Sequence, residues 1–233
     1  MVKKYNPKQD KGAVIFALIV VAIIFCIGAY MVFVVYPQQV LEKEQLSTVP
    51  VVNKEQLRST EGRRGVMITG HLIDNAVIKD KDFVAFQTYR WEVKFNNGDY
   101  EGKWWRDSER WPALLVAIDG GRAHTIENEP SLFNGALHEV VEARGGGKAA
   151  KYNGQALPNG SLRTVGVKNG DQVTIAGKTT HDATIIPEYF YVGTRQKLLE
   201  SLMFNAKAIR VIGFILMAIT GLISLLIVFK RKT

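Results

Sequence analysis

The side chains able to do chemistry are few in this chain and do not converge. His71, His124, His138 and His181 are scattered, with no HExxH spacing and no close carboxylate partner expected, so each reads as a surface or hydrogen-bonded histidine rather than a metal ligand. Asp80 and Asp82 flank Lys81 in a turn-like stretch where charge is expected, which makes a poor acid and base pair. No GxSxG, GxxxxGK[ST] or GxGxxG sequence occurs, and Gly145, Gly146 and Gly147 lack the strand-to-helix setting of a phosphate cradle. The lone cysteine, Cys26, rules out an intrachain disulfide and a Cys-based zinc site. The expectation is a protein that is not an enzyme and has no catalytic, cofactor or metal residues.

One aromatic group stands out. Trp91, Trp104, Trp105 and Trp111 fall within a short region, and tryptophans so gathered serve core packing, a membrane-proximal or subunit contact, or a ligand pocket.

The elements that would position these residues begin with residues 13–36, a run of about 24 residues without charge, long enough to cross roughly 30 Å of hydrocarbon as a helix. Lys3, Lys4, Lys8 and Lys11 precede it in a polar tail, residues 1–12, which places that tail in the cytoplasm under the positive-inside rule. An uncleaved anchor is expected rather than a signal peptide, because the run far exceeds an ordinary signal core and no small-x-small site follows. Ala22, Cys26 and Ala29 share one face of this helix; they are open to a neighbouring helix or simply to lipid. Pro37 is expected to stop the helix or bend its exit, and residues 37–64 form a polar connector in which LEKEQL can continue as a short helix.

The pattern then turns to period two. Residues 65–72 alternate as a half-buried strand. Residues 84–95 place Ala85, Gln87, Tyr89, Trp91, Val93 and Phe95 on one face and Thr88, Arg90, Glu92 and Lys94 on the other. The turn at Asn96 to Asp99 leads into a return strand over 100–106, with Trp104 and Trp105 on opposite faces. Residues 113–118 read as a short buried element, 122–130 as loop, 131–143 as helix or strand, and the glycine- and proline-rich stretch to Gly160 as turns. Strands are expected at 163–167, 172–176, 183–186 and 189–192, the first two joined by an Asn169-Gly170 hairpin turn. From Thr194 the spacing becomes helical, with Leu198, Leu199, Leu202, Met203 and Ala206 forming an apolar stripe; about 19 uncharged residues, 211–229, follow as a second span. Lys230, Arg231 and Lys232 close the chain, so much of the net charge of +8 is a membrane-orientation signal and not a nucleic-acid one.

The expected layout is therefore an α+β membrane protein: a cytoplasmic basic tail (1–12), transmembrane helix (13–36), connector (37–64), mainly β extracytoplasmic domain (65–193), amphipathic juxtamembrane helix (194–209), second transmembrane helix (210–229) and cytoplasmic basic tail (230–233). The juxtamembrane helix would set the angle between domain and bilayer.

Several patches carry a family likeness. Glu61, Gly62 and Arg63 followed by VMITGHL, then Tyr89-Arg90-Trp91-Glu92, Trp105-Arg106, VKNGDQ at 167–172 and FYVGTRQKLLESL at 190–202 keep an order and spacing, relative to two spans, that resembles the LUMA family of membrane proteins (transmembrane protein forty-three). The resemblance covers more than half of the chain in patches, none diagnostic alone. It implies a β-rich domain beside the membrane on the side away from the cytosol, and an organiser that self-associates and holds partners. Animal members carry further C-terminal spans, which puts roles that depend on them in doubt for this chain. Mitochondrial ubiquitin ligases have a similar membrane-adjacent domain, but the RING cysteines are absent.

The functional expectation is a non-enzymatic membrane scaffold forming a homo-oligomer through its extracytoplasmic domain, with membrane lipids and a membrane-protein partner as its contacts and no nucleic acid. Alternatives are an accessory subunit of a larger membrane complex, or a lipid or small-ligand binder. Tyr89, Trp91, Trp104, Trp105, Arg106 and Trp111 are the interaction candidates, no cofactor is expected, and the bacterial inner membrane is the preferred location, with the middle domain periplasmic or extracellular.

Overall fold

The structure is a computed structural model that describes residues 7–60, 65–78, 82–180 and 182–230. Two apolar helical stretches lie toward the two ends of the chain and flank a β-rich middle, as the sequence leads one to expect. The chain divides into two compact units, residues 1–48 with 199–233, and residues 49–198.

In the first unit the leading helix is longer than expected. It begins at Pro7, within the stretch read as a polar tail, and runs through α1 (Pro7–Tyr30), a π-helical turn (Met31–Val35) and α2 (Tyr36–Thr48). Pro37 does not stop it. A proline lacks the N–H that would bond the carbonyl four residues back and its ring crowds that carbonyl. The wider π turn falls immediately before the proline, with the Tyr36 N–H bonding the Met31 carbonyl, and takes up the mismatch. The connector is thus helical for its first dozen residues.

The second long helix, α4, spans Arg195–Lys230 without interruption. Within this unit the two helices meet at glycine. A Cβ built on Gly28 would lie 2.8 Å from the Gly213 carbonyl oxygen, and one built on Gly213 would lie 2.8 Å from that of Gly28 and 2.7 Å from the Val32 side chain. Val21, Gly28 and Val32 are buried on one helix, and Ala206, Gly213 and Thr220, seven residues apart, on the other. Small residues at such spacing let backbones approach and gain dispersion contacts that larger side chains would prevent. Ala22 and Cys26, from the small-residue face singled out in the sequence, are exposed, and Ala29 is half-buried. At the polar end the Arg210 guanidinium lies 5.0 Å from the Tyr36 ring centre and 5.6 Å from that of Phe214.

The second unit opens with α3 (Lys54–Ser59), held by a reciprocal cap: the Gln56 N–H donates to Asn53 Oδ1 at 2.9 Å and the Asn53 N–H to Gln56 Oε1 at 3.0 Å. Glu61, Gly62 and Arg63 lie outside the described residues. The strands β1 (Gly65–Leu72), β2 (Phe83–Asn96), β3 (Asp99–Arg110), β4 (Leu115–Ile118), β5 (Gly121–His124), β6 (Leu132–Gly135), β7 (His138–Glu142), β8 (Ala149–Tyr152), β9 (Gln155–Pro158), β10 (Leu162–Lys168), β11 (Gln172–Thr179) and β12 (Ile185–Val192) follow. They form a six-stranded sheet ordered β5-β4-β1-β11-β12-β6, a four-stranded sheet ordered β3-β2-β10-β7, and the β8-β9 hairpin. All pairings are antiparallel except β12 with β6.

Two sequence expectations need correction. Residues 122–130 are not all loop, since β5 runs to His124, and the turn-rich stretch before Gly160 contains the β8-β9 hairpin; the 131–143 stretch, open between helix and strand from the sequence, is two strands. The two strands expected at 183–186 and 189–192 are one, β12, which starts at Ile185 and so leaves Ala183 and Thr184 outside it; its register with β11 shifts between Ala176 and Gly177.

The main core joins the two larger sheets: Val66, Ile68, Val173 and Ile175 of the six-stranded sheet pack in one cluster with Val84, Ala85 and Val167 of the four-stranded one. Leu57 of α3 adds to it. Each such buried aliphatic side chain contributes about 1.5–3 kcal/mol.

Gly28→Val should push the helices of the first unit apart, at a cost of about 1–3 kcal/mol. Thermal unfolding of the detergent-solubilised chain should show a lowered midpoint, whereas Ala22→Val, on an exposed face, should leave it unmoved.

Candidate functional site

The β2–β3 hairpin carries five of the six interaction candidates and separates them by face. Its register sets Trp91 opposite Trp104, Arg90 opposite Trp105 and Tyr89 opposite Arg106. Because side chains alternate along a strand, Trp104 and Trp105 point to opposite sides.

On one side Trp91 and Trp104 close a small second core with Val93, Ala150, Leu157 and Tyr152. The ring centres are 4.8 Å apart for Trp91 and Trp104, 5.5 Å for Trp91 and Tyr152, and 5.3 Å for Trp104 and Tyr152. The last pair is edge-to-face, an orientation favoured by the ring quadrupoles. The β8-β9 hairpin supplies Ala150, Tyr152 and Leu157, and the Trp91 indole N–H donates to the Leu157 carbonyl at 3.2 Å. Gly102 is required beneath the Trp91 ring, since a Cβ there would fall 1.9 Å from a ring carbon.

On the other side Trp105 is 48% exposed, with the Lys103 ammonium 4.3 Å from its ring centre. A shallow groove of about 350 Å³ runs beside it, lined by Arg90, Trp91, Glu92, Trp105, Asn159 and Gly160. Trp111 belongs to neither group: it is buried in the main core, 4.5 Å from the Phe133 ring and 5.8 Å from that of Phe190.

Between the two cores lies a polar belt. Alternation places Gln87 and Tyr89 between Ala85 and Trp91 on the same face of β2. The Tyr89 hydroxyl donates to Gln87 Oε1 at 2.8 Å; Arg163 pairs with Glu139 at 3.0 Å, and the Tyr152 hydroxyl donates to Glu139 Oε1 at 3.2 Å. Arg106 is held by both Glu109 and Glu129. In a regular strand residues 106 and 109 would face opposite ways, but the ladder slips between Thr88 and Tyr89, leaving Asp107 as an extra residue in β3 and bringing both to one side. Asp107 itself takes the Arg90 guanidinium at 2.9 Å, and this hydrogen bond, with the attendant charge, raises the Arg90 pKa.

The two glutamates titrate apart. Burial and the hydrogen bond to Glu129 hold the Glu109 carboxyl above the usual range, against the pull of Arg106; hydrogen bonds from Glu109 and Arg106 hold Glu129 below it. Burial draws the Arg106 guanidinium down, while Glu129 and Glu109 together raise it. The cluster can therefore keep a proton on Glu109 while Glu129 stays ionised. Sequence reading missed it because Glu129 comes from a separate loop, and no spacing rule shows a bulge.

His138 does have a carboxylate neighbour, Asp171 at 2.9 Å, contrary to the expectation from sequence. His71 and His124 are exposed, and among the described residues no group of three His, Cys, Asp or Glu is placed to hold a metal. Asp80, Lys81 and His181 lie outside the described residues; Asp82 occupies a turn at φ 66°. Compared with protein-family models, with curated proteins and with solved structures, the chain matches none.

Trp104→Ala should destabilise the β unit by about 2–4 kcal/mol in denaturant unfolding, whereas Trp105→Ala should stay within about 0.5 kcal/mol. The pH dependence follows from the glutamates. A carboxyl raised on folding makes the folded state bind more protons, so stability should rise as pH falls through the Glu109 value; the lowered Glu129 contributes stability above the ordinary carboxyl range that is lost as pH falls through its own value. Thermal midpoints against pH should show both limbs, and Glu109→Gln should remove the first while keeping the second.

Proposed function

We propose that this chain is a two-span membrane protein acting as a non-enzymatic scaffold, with both ends in the cytoplasm and a β-rich extracytoplasmic domain that self-associates. The observation that carries it is the exposure of the two apolar helices. Only 11% of the apolar window is buried in each, where the core helix of a water-soluble protein would be mostly covered. Ile15, Phe16, Ile19, Ile215, Leu222 and Leu226, among others, stand open. Such surface is stable against acyl chains and costly against water. The lysines before the first helix and the cluster at 230–232 supply the orientation.

Self-association rests on the resemblance to the LUMA family and on the aromatic residues left exposed on the β2–β3 hairpin. The bacterial inner membrane is the preferred site. A second reading, an accessory subunit docking through α1, is favoured by the exposed apolar groove of about 620 Å³ along Ile19, Ala22, Ile23, Cys26, Ile27 and Tyr30.

Epitope tags fused at Met1 and at Thr233 should both resist protease added to the outer face of intact cells or spheroplasts, while a tag in the Asn153–Gly154 turn should be cut. Cleavage of the two terminal tags from opposite faces would refute the topology. A mild-detergent particle containing a stoichiometric foreign protein, and no second copy, would favour the accessory subunit.

A further inference from the structure

The exposed aromatic side chains described in the β unit, Phe95, Tyr100 and Trp105, all lie on the β2–β3 hairpin, and two of them are on β3 itself. β3 is an edge strand, hydrogen-bonded to β2 on one side only. From residue 99 to residue 106 its ladder with β2 carries no register shift; the bulge begins beyond that point. An unpaired edge with an unbroken register is a template for another strand.

The residue order along this edge is complementary to itself in reverse. Turning a second β3 antiparallel about Gly102 sets Glu101 opposite Lys103 and Lys103 opposite Glu101, with Tyr100 opposite Trp104 and Asp99 opposite Trp105 on either flank. A two-fold contact repeats every pair, so this register forms two acid–base pairs at once. It also carries the exposed Trp105 of one copy to the Asp99 end of the other.

We propose that the scaffold self-associates through β3, as an antiparallel β3–β3 pair centred on Gly102 and joining two copies of this chain. The proposal rests on the self-association put forward under Proposed function and names its surface. Copies tethered in one bilayer meet at a high effective concentration, so a short edge contact is enough.

Charge reversal in the full-length, detergent-solubilised chain tests it. Glu101→Lys alone converts both cross-copy pairs to Lys against Lys, and Lys103→Glu alone converts both to Glu against Glu. Each should weaken dimerisation about tenfold or more at low salt, read by analytical ultracentrifugation. The double swap E101K/K103E should restore it. Because Glu92 faces Lys103 and Lys94 faces Glu101 within the hairpin, E92K/K94E makes the same like-charge pairs inside one copy as E101K/K103E while leaving the edge unchanged; as the control for them it should leave dimerisation unmoved. Independently, E101C/K103C in a C26S background should give a disulfide-linked dimer on mild oxidation in native membranes, and either single cysteine much less. A dimer indifferent to the single reversals, together with no disulfide, overturns the β3 edge and leaves self-association standing. A wild-type chain that is monomeric at every concentration and in membranes overturns both.

Discussion

The β unit depends on the contact between the central strands of its two larger sheets. β1 and β11 occupy the middle of the six-stranded sheet, β2 and β10 the middle of the four-stranded one, and the aliphatic residues they bury, Ile68, Ile175, Val84 and Val167 among them, are sealed from solvent. The other strands of the two larger sheets are added at their margins, and the β8-β9 hairpin stands apart from both. Where β2 runs past the main core its exposed face would be left bare, and the β8-β9 hairpin covers it through Trp91, Trp104 and Tyr152. The long hairpin thus belongs to two cores, with a charged and hydroxyl-bearing belt at the junction, where the sheet face changes from one cover to the other.

That division explains how the six interaction candidates sort. Trp111, Trp91 and Trp104 are consumed by packing, in two separate cores. Tyr89 and Arg106 enter the polar belt, where their role is to tie strands and a loop together. Trp105 alone among the tryptophans presents its ring to solvent, on the same strand whose outer margin has no partner. The packing explanation therefore accounts for three of the four tryptophans, and the contact explanation retains the fourth.

The long alternating strands were legible because eight or more residues establish a period of two: β1 and β2 emerge near their observed limits, while β11 runs on to Thr179, beyond the expected end at 176. β5, β8 and β9 are four residues each, too short for any period to register, and glycine-rich surroundings mask two of them. The two apolar helices are plain from composition. Which faces they turn toward each other is not: Ala22, Cys26 and Ala29 share a face as Gly28 and Val32 do, and only the position of the second helix decides between them. The Arg106 cluster is invisible for a different reason, since a single extra residue at Asp107 inverts the side to which everything beyond it points.

The π turn ahead of Pro37 has an effect that reaches along its helix. One additional residue held within a single turn offsets everything downstream by roughly 100° about the axis. Two stretches of one continuous rod are thereby keyed to different surroundings, as a bolt is whose head is set at an angle to its thread. The proline, with no N–H to offer the carbonyl four residues back and a ring that crowds it, disfavours a return of that turn to α geometry.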